Sequence, residues 1–377
     1  MGNEHHTLEL ATAMMPTMLK QLGELVECES PSNSPEALRN CAQLLAPWLE
    51  KALGRPVDLV WSGENVHLVA QAQHPRVLVV GHFDTVWPLG TITEWRFEIS
   101  DDGIATGPGV FDMKAGIVQL LAALELMVDA SAVSVVLTSD EETGSATSWP
   151  LIEQQAKLAG VALVCEPSAD GGAVKVARKG IANYQVKVHG KAAHSGLEPA
   201  LGVNAGVELA HQILAINNLG SGDTTVTPTM FSAGTATNVV PEFAMCHVDV
   251  RAWTRSDLED VDDAMAALKP HVEGARVVVE GGIERPPFEP ALGVNVFADA
   301  AAAAWELGLA PLAATRSAGG SDANLIAAIG VPTLDGLGAL GAHPHGRGER
   351  VDVTVMGERA ALLSTLLHRL SNRSPGR

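Results

Sequence analysis

Several acidic and histidine side chains fall in short segments that directly follow predicted strands. Four of these segments are GHFDTVWP (81–88), SDEETGS (139–145), CEPS (165–168) and GALGAHPHG (338–346). In an open α/β sheet, ligands bind beyond the carboxyl ends of the strands, so we expect the four segments to converge. A fifth segment, GPGVFDMKAG (107–116), places Asp112 at the start of a helix, where its carboxylate could face the same crevice.

Taken one at a time, these residues have ordinary structural explanations. Asp112 is typical of a helix N-cap, and Glu141 with Glu142 is typical of a solvated acidic turn. His82 could be a core histidine bonded to a neighbouring carboxylate, and Glu166, before a proline, could simply end a strand. All of them following buried strands by chance is improbable, so we interpret them together as one site.

The residue types in these segments indicate a chemistry. Histidine and carboxylate side chains without cysteine favour catalytic zinc, or less specifically cobalt or manganese, and leave room for water. Two metal ions about 3.5–4 Å apart need an anionic ligand between them, so one carboxylate must bridge. A further carboxylate that binds no metal must then take a proton from the attacking water.

The elements that position these segments are short apolar strands that alternate with helices. The runs RVLVV (76–80), SVVLT (134–138) and ALVC (162–165) are continuous and β-branched, as in strands buried on both faces of a mostly parallel sheet. MKAGIVQLLAALELM (113–127) has the length and composition of a helix. The same pattern returns near the C-terminus, which indicates one α/β domain that is interrupted and resumed.

The middle of the chain has a different pattern. IANYQVKVHG alternates apolar and polar residues, as a strand with one solvated face does. Two helical stretches and three further strand-like runs follow, in the order βαββαβ. We therefore predict an α/β fold, with a mostly parallel sheet flanked by helices in residues 1–174 and 288–377, and an inserted ferredoxin-like α+β domain in residues 175–287.

Composition excludes several classes of partner. The chain has 377 residues, 46% of them hydrophobic, and a formal net charge of −19 from 44 acidic and 25 basic residues. An acidic surface repels the nucleic acid backbone and anionic lipid, so we expect neither nucleic acid nor membrane as a partner. The N-terminus shows no signal peptide, and no stretch approaches the roughly 20 apolar residues of a membrane span, so we expect a cytoplasmic protein. The four scattered cysteines are expected to be free thiols.

The segments GHFDTVWP, GPGVFDMKAG, DEETGS, CEPS and GKAAHSG, in this order, resemble the family of glutamate carboxypeptidase (carboxypeptidase G type), acetylornithine deacetylase and succinyl-diaminopimelate desuccinylase. The resemblance covers nearly the whole chain. It implies a hydrolase with two divalent metal ions per subunit, zinc in preference to cobalt or manganese. It also implies a homodimer, in which the insert serves as lid and dimerisation domain.

The resemblance also implies the metal ligands. Asp112 would bridge the two ions. His82 and Glu166 would complete one site, and Glu142 with a C-terminal histidine would complete the other. His343 and His345 are the candidates for that histidine, and counting back from Glu349 favours His345. Arg350 replaces the family's usual aromatic residue beside it, which puts the loop geometry in question. The complete predicted set is His82, Asp112, Glu142, Glu166 and His345.

Three further residues acquire catalytic parts from the resemblance. Asp84 would fix the tautomer of His82, and Glu141 would be the general base and proton shuttle. His194 of GKAAHSG resembles the histidine that reaches across a dimer to polarise the scissile carbonyl. A surface histidine on a turn is the alternative for His194.

Substrate contacts are implied by shorter matches. Asn238 in GTATNVVPE and Arg285 in GGIERPPF match residues that contact the substrate, and Arg285 would hold its terminal carboxylate through paired hydrogen bonds. An inter-domain salt bridge is the alternative for Arg285. In GGSDAN, Ser321 is a candidate carboxylate contact and Asp322 a candidate helix cap.

A nearby basic stretch contains Lys175, Arg178 and Lys179. It could favour an acidic substrate side chain, but a solvated basic turn is the simpler interpretation.

These observations favour a carboxypeptidase G-like enzyme that cleaves a small molecule or short peptide beside a free carboxylate. A biosynthetic deacylase acting on acetylornithine or a succinylated diamine is the alternative, although no acidic side-chain pocket is evident. A non-catalytic metal-binding scaffold is a third hypothesis. Such a relative typically loses the base or a ligand, whereas Glu141 and the full ligand set are present here.

Overall fold

The computed structural model describes residues 4–373, which divide into two compact units. Unit 1 comprises the described residues up to Ala177, Pro290–Ser317 and the described residues from Ser321 onward. Unit 2 comprises Arg178–Glu289 and Ala318–Gly320.

The helices are distributed over both units. In chain order they are α1 (Glu4–Ala13), α2 (Met15–Glu27), α3 (Pro35–Leu53), α4 (Thr91–Glu94), α5 (Ala115–Glu125), α6 (Trp149–Leu158), α7 (Ala205–Asn217), α8 (Arg255–Ala266), α9 (Val294–Glu306), α10 (Asp322–Ala328) and α11 (Met356–Ser371).

The strands are mostly short. In chain order they are β1 (Asp58–Ser62), β2 (Asn65–Ala70), β3 (Val77–His82), β4 (Glu98–Ile99), β5 (Ile104–Thr106), β6 (Val133–Thr138), β7 (Val161–Val164), β8 (Val174–Arg178), β9 (Gly180–His189), β10 (Thr225–Ala233), β11 (Phe243–Ala252), β12 (Arg276–Arg285), β13 (Ala314–Ser317), β14 (Thr333–Leu334), β15 (Gly341–Ala342) and β16 (Arg350–Asp352).

The main sheet of unit 1 has six strands in the order β1-β2-β6-β3-β7-β14. The four strands β6, β3, β7 and β14 run parallel, whereas β2 and β1 pair antiparallel at one edge. Every residue of β3, β6 and β7 is buried, as their continuous apolar composition predicts. The predicted mixed α/β fold is confirmed.

Helices enclose this sheet. Helix α5 is buried over its first ten residues, and it contacts α2, α3, α11 and β3. Because it is apolar around its whole circumference, it can only be stable inside a core. Helices α6 and α10 contact each other, and they also contact β3 and β7 respectively. Both groups of helices fix the strand ends that carry the acidic segments.

A second, smaller sheet in unit 1 has four antiparallel strands in the order β15-β16-β5-β4. Gly341 pairs with Val351 and Ala342 with Arg350, so the residues between them form the loop of a hairpin. His343 and His345 lie in this loop, both with positive φ, at 59° and 61°. The hairpin therefore determines where a C-terminal histidine can reach.

Unit 2 contains a four-stranded antiparallel sheet in the order β10-β11-β9-β12, with α7 and α8 packed on it. Its elements follow one another as β9, α7, β10, β11, α8 and β12, which is a βαββαβ order. Along β9 every second residue from Gly180 is buried, in keeping with its alternating sequence. Unit 2 has its own apolar core, formed by residues such as Val186, Leu209 and Leu258.

Two expectations about chemistry outside the site can be compared directly with the structure. All four cysteines are free thiols. Within residues 4–373, none of the helices combines the length and the apolar character that crossing a membrane requires.

Candidate metal centre

The carboxyl ends of three neighbouring strands, β6, β3 and β7, lie side by side in the main sheet of unit 1. His82 is the last residue of β3, Glu141 and Glu142 follow β6, and Glu166 follows β7. Parallel strands end at the same edge, so the fold brings these side chains together. Asp112 joins them from the irregular segment that precedes α5.

His82 lies at the centre of this cluster and is buried. Its Nε2 is 3.3 Å from Asp112 Oδ1 and 3.6 Å from Glu166 Oε1. On the other side of the ring, Nδ1 is 3.0 Å from the backbone oxygen of Asp84 and 3.4 Å from its Oδ1. Donating Nδ1–H to Asp84 leaves the Nε2 lone pair directed at the acidic cluster, which is the orientation that a metal ligand needs.

His345 approaches the cluster from the hairpin loop. Its Nε2 is 3.2 Å from Asp112 Oδ2 and 3.2 Å from Glu142 Oε2. The two oxygens of Asp112 therefore face different histidines, Oδ1 toward His82 and Oδ2 toward His345. Both His343 and His345 are exposed to solvent, but it is His345 that lies within ion-pair distance of Asp112 and Glu142. This geometry favours His345 over His343.

Two sets of side chains are close enough to share an ion. In one set His82, Asp112 and Glu142 place a ligand atom each within 4.8 Å of one another, and in the other His82, Glu141 and Glu166 do so. Glu141 belongs to the second set, so distance alone does not separate a ligand from a base there. Its assignment as the base stays a prediction.

The cluster fits divalent metal ions on its own chemistry. Glu142 Oε1 is buried and has no hydrogen-bond partner within residues 4–373. A buried carboxylate oxygen without a partner is unfavourable unless a cation binds it. The donors are imidazole nitrogens and carboxylate oxygens, with no thiolate among them, as in catalytic zinc sites.

The protonation of the cluster indicates the same demand for positive charge. Hydrogen bonds to Asp112 and Glu142 raise the pKa of His345 to about 10. Burial alone would lower the pKa of His82, but its bonds to Asp112 and Asp84 raise that pKa well above its usual value. Burial would raise the pKa of Asp112, yet the two histidines hold it below its usual value. Carboxylates that stabilise protons on both histidines would also stabilise a divalent cation.

Asp84 connects the cluster to the turn that carries Glu141 and Glu142. Its Oδ1 accepts the Glu141 N–H at 3.3 Å, and its Oδ2 accepts the Glu142 N–H at 3.2 Å. The hydroxyl of Ser32 also donates to Oδ2, at 2.7 Å. Ser32 could not be identified from the sequence, because it lies in a polar stretch 52 residues away from Asp84.

Asp140 holds the other end of the same turn. Its Oδ2 accepts the N–H and the hydroxyl of Thr147, both at 2.7 Å, and the N–H of Ser148 at 3.2 Å. The Nε2 of buried His67 lies 3.0 Å from the Thr147 hydroxyl. In the sequence, Asp140 is one of several acidic residues in SDEETGS (139–145), and the Ser and Thr residues that follow it are the available signal for its contacts.

Unit 2 carries His194 and Asn238, which the structure brings together. His194 pairs with Val239, and the backbone oxygen of Asn238 accepts the Ser195 N–H at 3.0 Å. The exposed ring of His194 accepts two backbone N–H groups at Nδ1, from Gly196 and Leu197, both at 3.1 Å. In the neutral ring the proton therefore lies on Nε2, which is left as a hydrogen-bond donor.

Arg285 ends β12 in unit 2 and is buried, with 4% of its surface exposed. Gly320 lies against it, since a Cβ at that position would be 3.3 Å from Arg285 Cδ. Close approach of backbone to the arginine therefore depends on this glycine.

Ser321 is completely buried and caps α10. Its Oγ accepts the Ala323 N–H at 3.1 Å and donates to Asp335 Oδ2 at 2.9 Å. These contacts use its hydroxyl within the fold and do not favour the predicted substrate contact. The expectation that Asp322 is the helix cap is wrong, because Ser321 is the N-cap and Asp322 instead accepts a hydrogen bond from Ser145.

The expectation of a solvated basic turn is wrong for Arg178 and Lys179. Both are buried, with 3% and 8% of their surface exposed. Arg178 donates to the carbonyl oxygens of Gly319 and Gly320, and Lys179 donates to that of Asp223. Both cationic groups are therefore removed from water, and both stabilise backbone carbonyl groups. Contacts of this kind are not evident in a single sequence.

The fold and the paired histidine and carboxylate sets define a class of metal-dependent hydrolases. The family described as peptidase family M20/M25/M40 matches residues 78–369. The chain belongs to this family. The predicted family and the predicted class of enzyme, a metal-dependent peptidase or amidohydrolase, are therefore confirmed.

Individual relatives are similar over most of the chain. Carboxypeptidase G2 of Pseudomonas sp. (strain RS-16) is 31% identical over 95% of this chain and 90% of its own length. Succinyl-diaminopimelate desuccinylase of Alkalilimnicola ehrlichii is 30% identical over 86% of this chain and 90% of its own length. The crystal structure of aminopeptidase PepT from Bacillus cereus has a TM-score of 0.74 at 23% identity, and covers 95% of this chain and 99% of its own. That structure supports the fold.

Removing Asp112 should affect metal binding more broadly than removing His82. Because the two oxygens of Asp112 face different histidines, Asp112→Ala should lose both ions, whereas His82→Ala should chiefly weaken one site. Metal content of the purified variants by elemental mass spectrometry measures this. Asp101→Ala, at an exposed position, is the matched control and should keep full metal. An Asp112→Ala protein with full metal and activity would refute the bridging assignment.

Proposed function

We propose that this protein uses two divalent metal ions, zinc in preference to cobalt or manganese, to hydrolyse an amide or peptide bond beside a free carboxylate. The observation that carries the proposal is the placement of Asp112 between His82 and His345, at 3.3 and 3.2 Å. Each histidine also lies beside a second carboxylate, Glu166 or Glu142. This is the arrangement expected of two ions that share one bridging ligand.

The proposed ligands divide between the two ions. His82 and Glu166 complete one site, Glu142 and His345 complete the other, and Asp112 belongs to both. Bound ions would supply Lewis acidity, which lowers the pKa of a water molecule toward neutrality and polarises the scissile carbonyl. Asp84 orients His82, and through the N–H groups of Glu141 and Glu142 it also fixes the neighbouring turn.

Glu141 acts as the general base in this proposal. It takes a proton from the attacking water and passes it to the leaving nitrogen, as a carboxylate free of metal can do. Its side chain is partly exposed at the end of β6, and its backbone N–H is held by Asp84. Those contacts hold the backbone of the base in place while leaving its carboxylate accessible to water.

Substrate selection depends on a carboxylate hold. Arg285, the last residue of β12, supplies a planar guanidinium that suits a terminal carboxylate. Asn238 would add an amide contact. The similarity to carboxypeptidase G2 supports a carboxypeptidase. From the resemblance to glutamate carboxypeptidase we propose a C-terminal acidic amino acid or an N-acyl amino acid as the substrate class.

A biosynthetic deacylase is the alternative function. The similarity to succinyl-diaminopimelate desuccinylase supports it, because the coverage and identity are nearly those of the carboxypeptidase relative. The two functions differ in the group beside the scissile bond. A deacylase would favour a substrate that carries a cationic diamine, whereas the carboxypeptidase-like enzyme would favour a substrate that releases an acidic product. A non-catalytic scaffold is not favoured, because Glu141 and the ligand set are intact.

We assign unit 1 as the catalytic domain and unit 2, with its ferredoxin-like order, as the lid and dimerisation domain of a cytoplasmic homodimer. Large apolar side chains on unit 2 are exposed on α7 and β10, among them Leu214, Met230 and Phe231. Exposed apolar patches on a soluble domain are typical of protein interfaces. In the dimer, Nε2–H of His194 from one subunit would donate to the oxyanion that forms in its partner's site.

A substrate panel tests the proposed function. N-acylglutamate, N-acylaspartate and dipeptides with a C-terminal acidic residue should be hydrolysed faster than acetylornithine and succinyl-diaminopimelate. Glu141→Gln, which keeps the side-chain size but removes the proton acceptor, should reduce turnover on the order of 10²-fold or more while metal content stays. Hydrolysis of the diamine substrates alone would favour the deacylase, and wild-type turnover in Glu141→Gln would refute the base assignment.

Steady-state kinetics should distinguish the role of Arg285 in substrate binding from the role of His194 in catalysis. Arg285→Ala should mainly raise KM, because it removes a hold present throughout the reaction, and Arg285→Lys should recover only part of it. His194→Ala should mainly lower kcat, by about 10²-fold or more, because its donor strengthens as the oxyanion develops. His74→Ala, at an exposed histidine of unit 1 that precedes β3, is the control and should leave both parameters unchanged.

Subunit mixing tests whether His194 acts across the dimer. A heterodimer of Glu141→Gln and His194→Ala chains should recover one working site, which combines the intact His194 of the first chain with the intact Glu141 of the second. Absence of rescue, with subunit exchange independently confirmed, would show that His194 acts within its own chain or has no catalytic part.

A further inference from the structure

Glu349 is a buried carboxylate that none of the steps above uses. Its side chain has no exposed surface. Oε1 accepts the backbone N–H groups of Phe111 at 2.8 Å and Asp112 at 3.0 Å. Oε2 accepts the N–H of Gly109 at 3.2 Å and the indole Nε1–H of Trp87 at 2.8 Å. Four N–H donors therefore converge on one carboxylate.

These four donors come from two segments that also carry proposed metal ligands. Trp87 follows His82 in the segment after β3, and Gly109 to Asp112 form the entry to α5. Glu349 itself lies four residues after His345, at the end of the hairpin loop. One carboxylate thus joins the segments that bear His82, Asp112 and His345.

The segment around Asp112 needs such an acceptor. Its backbone is not helical at Asp112 (φ −114°, ψ 93°) or at Met113 (φ −131°, ψ 34°), and Gly109 has a positive φ of 71°. N–H groups at an irregular helix entry have no acceptor in a preceding turn, and buried backbone donors are rarely left without one. Glu349 accepts three of these N–H groups, at positions 109, 111 and 112.

We propose that Glu349 is a positioning residue that sets the affinity of the metal centre by fixing Asp112 relative to His82 and His345. This inference rests on the proposed metal-dependent function. Glu349 need not touch a metal ion or the substrate. It holds the backbone of the bridging residue at its N–H, and it joins the segment of Trp87 to the hairpin loop, whose last residue before β16 is Glu349.

The charge of Glu349 is part of the inference. A glutamine at this position would keep the shape but exchange one acceptor oxygen for an NH₂ group. That group would face two N–H donors in either orientation, so two hydrogen bonds would be lost and two donors left without acceptors. The backbone of residues 109–112 would then have to move.

Metal affinity of Glu349→Gln, measured on folded protein by competition with a chromophoric chelator for Zn²⁺, tests the proposal. Changes at residues that orient ligands typically weaken metal binding by about 10- to 100-fold, and we expect a loss in that range. With metal in excess, kcat should fall and KM should change little, because the substrate hold lies elsewhere.

Glu208→Gln is the matched control. Glu208 of unit 2 is likewise fully buried and accepts the N–H groups of His271 at 2.8 Å and Val272 at 2.6 Å, and the amide of Gln212 at 2.6 Å. Its replacement should lower the melting temperature of the metal-free protein as Glu349→Gln does, yet leave zinc affinity at the wild-type value.

Trp87→Phe provides a milder variant in case Glu349→Gln does not fold. It removes one of the four donors and keeps an aromatic ring against Trp95, whose ring centroid lies 5.0 Å away. Its zinc affinity should fall by less than that of Glu349→Gln but outside the error of the wild-type measurement. If folded Trp87→Phe binds zinc as tightly as the wild-type protein does, the role proposed for the hydrogen bond from the indole to Glu349 is overturned.

The outcomes separate this inference from the proposed function. If the wild-type protein binds two zinc ions and Glu349→Gln binds them equally tightly, Glu349 is only structural and the inference is overturned. The same holds if Glu208→Gln weakens zinc binding as much. If the wild-type protein itself binds no zinc, cobalt or manganese, the proposed function has failed, and the inference with it.

Discussion

The main constraint on the site is the negative charge of four carboxylates held beside two histidines at one edge of a sheet. The carboxylates belong to Asp112, Glu141, Glu142 and Glu166. Like charges a few ångströms apart repel strongly where water is excluded. His82 and His345 compensate part of this charge, whereas Glu142 Oε1 is buried without a hydrogen-bond partner among the residues that the structure describes. In the proposed metal centre, bound divalent cations would compensate the remaining charge and stabilise this edge of the sheet.

Rigidity around the cluster comes from buried anions that accept backbone hydrogen bonds. Asp84 holds the turn after β6, Asp140 closes that turn, and Glu349 holds the entry to α5. Each accepts N–H groups that no helix or strand satisfies, so each removes freedom from a segment that carries a proposed ligand. A metal or substrate site is effective when its ligands are fixed before binding. The three anions provide that fixation here.

How much of the fold and the site could be predicted from the sequence depends on whether the interactions are local or join distant parts of the chain. Strands β3, β6 and β7 could be predicted because continuous apolar runs are a local signal, and their order along the chain placed the acidic segments at one edge. Counting back from Glu349 favours His345 over His343, and the contacts that support this choice depend on the hairpin that places the loop. The burial of Arg178 and the capping by Ser321 depend on contacts that a single sequence does not display. In the sequence, Glu349 serves only as the reference position from which His345 is chosen. Its hydrogen bonds could not be foreseen, because their donors lie 237 to 262 residues away along the chain.

Anomalous diffraction from zinc-loaded crystals can show whether Asp112 is shared by two metal ions. Data collected on both sides of the zinc absorption edge locate each ion without reference to the protein geometry. If Asp112 is shared, two anomalous peaks per chain should appear about 3.5–4 Å apart, with Asp112 between them. One peak should lie beside His82 and Glu166, and the other beside His345 and Glu142. A single peak, or two peaks that do not share Asp112, would contradict the bridging assignment.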